Sequence, residues 1–386
     1  MKKIIVFTGD RSDFGILKEL IIGISNSNDL DLHLVVSGSH LHLKEENTSY
    51  NEIQSLNLKN LYEIPTYKKD KDDFSDISKS MALGLEQYPK FFKKINGEII
   101  ILLGDRFETL IAAISATLIK LPIAHIHGGD ISEGAYDESF RHSITKMSHI
   151  HFPATEEASK ILIQLGEASQ NVINVGSLAI DNILNYELKE IDDISSEYNF
   201  DFTKPYCLIT YHSCTLGEDP RNSILGILSA LKKFPNLNYV FTYPNPDNGG
   251  QIIIDEINLF LKKNNNKTAI FVRNFGQLNY FTVLKSALFV IGNSSSGLIE
   301  APYFNVPVIN IGNRQNGRVR PKTVQDINDA DDKNKISLAI EKILTETDSI
   351  KPELLYGCGG AKDTIINKLK TMEIPKVIKK FKKTYE

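Results

Sequence analysis

The sequence predicts an α/β protein made of two doubly wound, parallel-sheet domains with a ligand cleft between them. Three observations lead there. Short continuous apolar runs alternate with stretches whose apolar residues recur at helical spacing, as in a parallel sheet covered on both faces. The alternation stops in a polar, acidic stretch, Leu188–Lys204 (LKEIDDISSEYNFDFTK), and then restarts. The chain has 386 residues, whereas one hydrophobic core usually stops growing near about 250–300.

The elements follow in order. IIVFTGD, from Ile4, is a strand leading into a helix over GILKELIIGI. LHLVVSG, Leu32–Gly38, is the next strand. EIIILLGDR, Glu98–Arg106, precedes the helical FETLIAAISATLIK. PIAHIHGGD reads as a further strand and SFRHSITKM as a helix, while HIHFPAT and NVINVGS supply two short strands. Leu188–Lys204 reads as the linker. Beyond it come YCLITYH, a helix around Ile224–Lys233, NYVFTYP, a helix around Ile252–Lys262, and the strands TAIFVRNF, ALFVIGN and PVINIGN.

Composition narrows the function. Hydrophobic residues make up 41% and charged residues 24%, as in a soluble globular protein. The net charge of −4 gives no reason to expect a nucleic-acid partner. Lys376–Thr384 (KVIKKFKKT) reads as the solvated face of a terminal helix rather than a membrane patch. Cys207, Cys214 and Cys358 form no CxxC spacing, which fits a reducing compartment. The apolar run IIVF is too short for a signal peptide, and no run approaches the roughly 20 residues of a membrane helix. A cytoplasmic protein without a membrane partner is expected.

Chemistry concentrates in the loops after strands. GNSSSGLIE, Gly292–Glu300, places small polar groups where a strand ends and a helix begins, within Ser294–Gly297. Free backbone N–H groups, serine hydroxyls and the positive end of a helix dipole together bind phosphate. Gly297 lets a backbone approach closely, and Glu300 lies one turn in, where a carboxylate meets ribose hydroxyls. Plain helix capping by the serines is the simpler alternative. GNRQNGRVR, Gly312–Arg320, adds Arg314, Arg318 and Arg320 beside that loop, a composition suited to anions.

In the first domain TGDRSDFG, Thr8–Gly15, joins strand to helix without the GxGxxG or Walker pattern, so a dinucleotide or P-loop site is poorly supported. Arg11 there is placed to reach a diphosphate, or else to make a structural salt bridge. Asp105 and Arg106 end a strand in GDRFE. HIHGGDISEGAYDESFRHS is denser: His125 and His127, two apart on a strand, share a face, and Asp130, Glu133, Asp137, Glu138, Arg141 and His142 follow. Such a cluster suits general acid–base work. The histidines do not complete a metal ligand set. His149 and His151 read as structural, and His40 and His42 as loop packing or sugar contacts. In the second domain His212 ends a strand in YHSCT, Asn245 and Asp247 follow another in PNPDNGG, and Phe275 sits in RNFGQL either against a base or in the core.

TGDRSDFG, LGDRFE, HIHGGD with YDESFRHSITKMS, and GNSSSGLIE with IGNRQNGRVR occur in that order. From the first strand to about residue 330 this resembles the hydrolysing UDP-N-acetylglucosamine 2-epimerases, in their bacterial sialic-acid-pathway branch. The resemblance implies a GT-B-like fold of two Rossmann-type domains, here residues 1–186 and 187–364, with a C-terminal helix in 365–386 packed back on the first. It implies loss of the C2 proton and UDP by anti elimination, a 2-acetamidoglucal intermediate, and addition of water to give N-acetylmannosamine and UDP. It implies no nicotinamide cofactor and no metal, a UDP-sugar as partner, and a homodimer or higher homo-oligomer.

By the same resemblance Asp105 and Asp137 handle protons and His212 stabilises or protonates the leaving diphosphate. Arg106 touches sugar or diphosphate. Arg11, Ser294 and Ser295 hold phosphates, Glu300 the ribose, Phe275 and Arg314 the uridine. Asn245, Gly15, His127 and Gly297 line the substrate site. Three positions depart from the family pattern. His127 stands where many relatives carry Glu, so the carboxylate role passes to Asp130 and the C2 base stays open. Ser213 replaces the proline of HPxT, and Asp10 replaces an uncharged residue. Three alternatives share the pattern: the same reaction on UDP-2,4-diacetamido-2,4,6-trideoxyglucose, a GT-B glycosyltransferase, and an inactive nucleotide-sugar sensor.

Overall fold

A computed structural model describes residues 1–42, 48–68, 74–133, 136–214, 219–245, 249–263, 268–345, 353–375 and 379. The chain divides into two compact units. One comprises Met1–Ile131, Asp137–Asn182 and Tyr356–Glu386; the other comprises Ser132–Tyr136 and Ile183–Leu355.

The first unit is a six-stranded parallel sheet in the order β3-β2-β1-β4-β5-β6. Its strands are β1 (Lys2–Thr8), β2 (Leu30–Ser37), β3 (Leu61–Ile64), β4 (Ile99–Leu103), β5 (Ile123–Ile126) and β6 (Ile150–Phe152). Side chains alternate across the sheet, as the pleat requires. Ile4 and Val6 therefore enter the core on one face, and Ile5 and Phe7 the core on the other. Both faces are covered by helices, so the central strands β1 and β4 carry continuous apolar runs, Ile4–Phe7 and Ile99–Leu103, rather than alternating ones. Ile4 registers with Leu32 on one side and Ile99 on the other.

The second unit repeats the plan with β7 (Tyr206–Thr210), β8 (Asn238–Thr242), β9 (Ala269–Val272), β10 (Phe289–Gly292), β11 (Val308–Ile311) and β12 (Val324–Ile327). Its order is β12-β11-β10-β7-β8-β9. Counted from its own first strand, this is the same order as in the first unit. In both, the order reverses beside the first strand: between β1 and β4, and between β7 and β10. At that reversal neighbouring connections leave in opposite directions and a crevice opens at the strands' carboxyl ends.

The final described helix belongs to the first unit. α14 (Ala361–Thr371) lies on α1 (Arg11–Ser25), and its Ile365 and Leu369 join the core that holds Ile4 and Leu17. Gly23 permits the approach, since a Cβ there would lie 2.6 Å from Ile366 Cδ1. Asp181, on α7 (Leu178–Asn185), caps α14 by accepting from the backbone N–H groups of Ala361 and Lys362. Lys2 Nζ donates to the carbonyls of Leu369 and Lys370 at 2.9 and 2.8 Å, at the negative end of the same helix. A second tie is Lys379, which pairs with buried Glu167 and donates to Thr145 O at 3.0 Å. Residues 376–378 and 380–384 of the basic stretch lie outside the described residues.

Three expectations need correction. Leu188–Lys204 is not a bare linker: it contains α8 (Ile191–Tyr198), whose fully buried Ile194 joins the second unit's core. One apolar edge, Ile191, Ile194 and Tyr198, is enough to fold it despite its acidic remainder. NVINVGS forms no strand; Val172 makes a single bridge to His151. His125 and His127 do not share a strand face, because β5 ends at Ile126 and His127 turns to φ +60°. Among the described residues no helix is long and apolar enough to cross a membrane.

Removing the α14 cap tests the C-terminal docking. Asp181→Ala leaves two buried helix N–H groups without an acceptor, and is expected to cost about 2 kcal/mol by chemical denaturation, with Asp181→Asn costing less.

Candidate active site

In the first unit the loops after β1, β4 and β5 carry the polar groups. Asp10 ends the β1 loop and caps α1, accepting from Ser12 N at 2.9 Å and from Ser39 Oγ at 2.6 Å. Burial would raise its carboxyl; Arg106 and then these hydrogen bonds hold it well below the usual carboxylate range. Arg11 follows as the first residue of α1, exposed and without an ion pair among the described residues. Gly15, a turn later, gives its carbonyl to Asn182 Nδ2 at 2.6 Å.

After β4 come Asp105 and Arg106, the latter immediately before α4 (Phe107–Leu118). Asp105 pairs with Arg141, which lies almost wholly buried on α5 (Asp137–Met147). The same guanidinium donates to Asp130 O and to Glu138 Oε2, each at 2.8 Å. Burial works against the charge on Arg141, yet Asp105, Asp130 and Glu138 secure it. One side chain thus fixes three segments. Asp137 opens α5, where the helix dipole favours a carboxylate. Glu138 Oε1 meets His142 Nε2 at 2.9 Å. His125 is fully buried and faces Gly104 O at 2.8 Å; burial depresses it to about 3, so it is a neutral structural histidine. His151 and His149 are structural too, the first against Glu167 and the second accepting from Ile123 N at 3.2 Å.

In the second unit Asn293 organises the switch point. Its Oδ1 accepts from His212 N at 2.7 Å and its Nδ2 donates to His212 O at 2.8 Å. Its carbonyl accepts from Arg314 Nη1 at 3.1 Å and Gln315 Nε2 at 2.8 Å. Gly292 before it is obligatory: φ is +144°, and a Cβ would sit 1.9 Å from Thr210 O. His212 is buried, and its Nδ1 accepts from the backbone N–H of Asn245 at 3.0 Å. A nitrogen that accepts carries no proton, so neutral His212 keeps its proton on Nε2.

Ser294 and Ser295 lead into α12 (Ser296–Tyr303). Ser294 Oγ accepts from Ser296 N at 3.4 Å, Ser295 makes no side-chain cap, and the backbone N–H groups of Ser294 and Ser295 have no acceptor among the described residues. That is an anion-binding arrangement. Gly297 packs α12 onto β11, with a Cβ position 3.0 Å from Val308 Cγ1. Burial pushes Glu300 up to about 7, while Ser296 and Arg318 act against it, and Glu300 Oε2 has no hydrogen-bond partner among the described residues. Phe275 is buried 4.8 Å from the Tyr198 ring, so this segment offers backbone rather than a ring face. Thr215 and Asp247 lie outside the described residues. Arg318 is half-buried, and Arg320 is held by Asp326 at 3.0 Å. No group of three or more His, Cys, Asp and Glu side chains among the described residues is arranged to hold a metal ion.

The model of the UDP-N-acetylglucosamine 2-epimerase family matches residues 23–370. The chain belongs to that family. It is 36% identical to a GDP/UDP-N,N'-diacetylbacillosamine 2-epimerase (hydrolyzing) of Campylobacter jejuni over 86% of each chain. It is also 36% identical to the polysialic acid biosynthesis protein P7 of Escherichia coli, over 85% of this chain and 83% of that one. The crystal structure of a Neisseria meningitidis UDP-GlcNAc 2-epimerase bound to UDP-GlcNAc superposes with a TM-score of 0.79 at 19% identity, covering 96% of this chain and 99% of that chain. The fold is therefore the GT-B-like one of two Rossmann-type sheets.

Two organisers of this epimerase-family fold were not singled out from sequence. Arg141 appeared only within a cluster, and Asn293 only as the amide in GNSSSGLIE. Their weight comes from burial and from partners far along the chain, though an asparagine directly after a strand-ending glycine was a usable signal. Arg141→Met would leave Asp105 and Glu138 facing each other without their buried partner. A stability loss of about 3–5 kcal/mol is expected in urea denaturation.

Proposed function

We propose that this chain is a hydrolysing 2-epimerase that converts UDP-N-acetylglucosamine to N-acetylmannosamine and UDP. The observation that carries the reading is the tautomer of His212: held at Nδ1 by Asn245, it presents Nε2–H beside the Asn293–Ser295 anion loop. A proton donor there assists departure of a diphosphate. A carboxylate of the Asp105, Asp130 and Asp137 group removes the proton from C2 as the C1–O bond to UDP breaks. The product is 2-acetamidoglucal. Water then adds, its oxygen to C1 and a proton to C2 from the face opposite to the one deprotonated.

The proposed roles are those the family resemblance implies. Ser294 and Ser295 hold phosphate through free N–H groups, with Arg11 and Arg106 as further cations. Glu300, with an unused carboxyl oxygen, takes ribose hydroxyls. Arg314 and the backbone around Phe275 take the uracil, and Asn245, Gly15, Gly297 and His127 complete the lining. The proposed division is two domains, 1–186 and 187–364, with a helix from the C-terminal segment packed back on the first, and the proposed form is a cytoplasmic homo-oligomer. A second reading, the same chemistry on a UDP-2,4-diacetamido-2,4,6-trideoxy sugar, is favoured by the name of the Campylobacter relative.

Proton NMR in D₂O, with neither metal nor nicotinamide added, separates these. N-acetylmannosamine bearing deuterium at C2, appearing with UDP, is expected from UDP-N-acetylglucosamine. Turnover of the diacetamido substrate alone would select the second reading, and inertness towards both would overturn the hydrolysing assignment. His212→Gln is expected to lower kcat by about 10²–10⁴-fold.

A further inference from the structure

Beside Arg106, in the first unit, lies a carboxyl group that the mechanism above does not use. Glu108, on the first turn of α4, has a side chain only 1% exposed. Its Oε2 accepts from Arg106 Nε at 3.3 Å, and its Oε1 has no hydrogen-bond partner among the described residues. It is seated against two glycines that leave room for nothing larger. A Cβ on Gly9 would lie 2.7 Å from Glu108 Cβ, and one on Gly38 would lie 3.1 Å from Glu108 Oε1. Gly9 directly follows β1 and Gly38 directly follows β2, so the loops of three neighbouring strands close around this one group.

We propose that Glu108 is a positioning residue for Arg106: it holds the Nε edge of the guanidinium from behind and sets how much positive charge Arg106 presents to an anionic substrate. The link to substrate rests on the function proposed above.

The charge environment supports this. Arg106 faces three buried carboxyl groups, Asp10 and Asp13 from the β1–α1 segment and Glu108 from α4. Asp10 stays ionised through Arg106 itself and then through Ser39 and Ser12. Asp105 adds a further negative charge towards Asp13, but has Arg141 as its own partner. His40 and Tyr88 complete the surroundings, and burial keeps both neutral, His40 depressed to about 4 and Tyr88 pushed up to about 12. An ionised Oε1 would be a buried charged oxygen with no donor, which is costly. Burial accordingly pushes Glu108 up to about 7, with Arg106 opposing and Asp10 reinforcing, and pushes Asp13 up as well. Near neutral pH Glu108 exchanges a proton. Protonated, it leaves Asp10 as the ionised neighbour of Arg106; ionised, it adds a second negative charge there and weakens the pull on an anionic substrate.

The sign for stability follows. The folded state keeps the Glu108 proton above the ordinary value of 4.5, so unfolding releases it, and stability falls as pH rises from about 4.5 through about 7. Denaturant midpoints of wild type and Glu108→Gln, measured from pH 5 to 8, are expected to diverge, the wild type falling more steeply. Glu300 contributes the same slope to both proteins and cancels in the difference. In turnover, wild-type KM is expected to rise above pH 7 and to lose that rise in Glu108→Gln, which keeps an acceptor for Nε. Glu108→Ala, which keeps none, is expected to raise KM about tenfold throughout. Coincident stability profiles, or a KM rise unaltered in Glu108→Gln, would overturn the proposal. Inertness of the wild type towards both sugar nucleotides would instead sink the proposed function, and the stability arm does not depend on it.

Discussion

Everything chemical in this protein depends on one topological constraint: a parallel sheet whose strand order reverses beside its first strand. At β1/β4 and again at β7/β10, neighbouring chains leave the sheet in opposite directions. Backbone groups at the strand tips are then left uncovered by helices. Small and polar residues collect at those tips, and at Gly292 a side chain is excluded outright by Thr210 O. The apolar strands beneath supply rigidity, so a loop only a few residues long can hold a side chain in place.

The two units solve a common problem differently. A polar group removed from water needs its hydrogen bonds supplied by protein. In the second unit a neutral amide does this: Asn293 satisfies both backbone groups of His212 and offers its carbonyl to Arg314 and Gln315. In the first unit a charge does it: Arg141 binds Asp105, Glu138 and the Asp130 carbonyl. The neutral device fixes the backbone of His212, whose ring is oriented separately by the Asn245 N–H. The ionic device ties two carboxylates and a backbone carbonyl to one buried guanidinium and so holds three segments close. Around Arg106 the balance is incomplete, because several buried carboxyl groups face the same guanidinium.

Much of this was legible in the sequence, and the limits have physical causes. β1, β4, β7 and β10 are buried on both faces, so their apolar runs are unbroken. β3 (LYEI) and β12 (VQDI) are edge strands, largely half-buried, and their short mixed composition carries no such signal. α8 was hidden because its acidic residues outnumber the apolar edge that folds it. NVINVGS has β-branched residues and runs beside β6, but its contact there amounts to one bridge and two backbone hydrogen bonds, too little for a strand. Loops at strand ends could be recognised as chemical by residue type, and the likeness to a known family ordered them. The pairing of Arg141 with Asp105 spans 36 positions, and no local pattern encodes it. Glu108 lay in plain sight in LGDRFE, but its burial is a property of Gly9 and Gly38.

The return of α14 to the first unit bears on the order in which the protein is made. Ile365 and Leu369 complete a core whose other members, such as Ile4 and Leu17, are synthesised hundreds of positions earlier. Asp181 has no helix to cap, and Lys2 no carbonyls to meet, until that segment has left the ribosome. The unit that begins the chain is therefore the last to finish. The second unit, Ile183–Leu355 apart from a short strip, has its whole core in hand before then. Translation that stops short of residue 361 would leave an early apolar surface uncovered, the state in which nascent chains aggregate and chaperones bind.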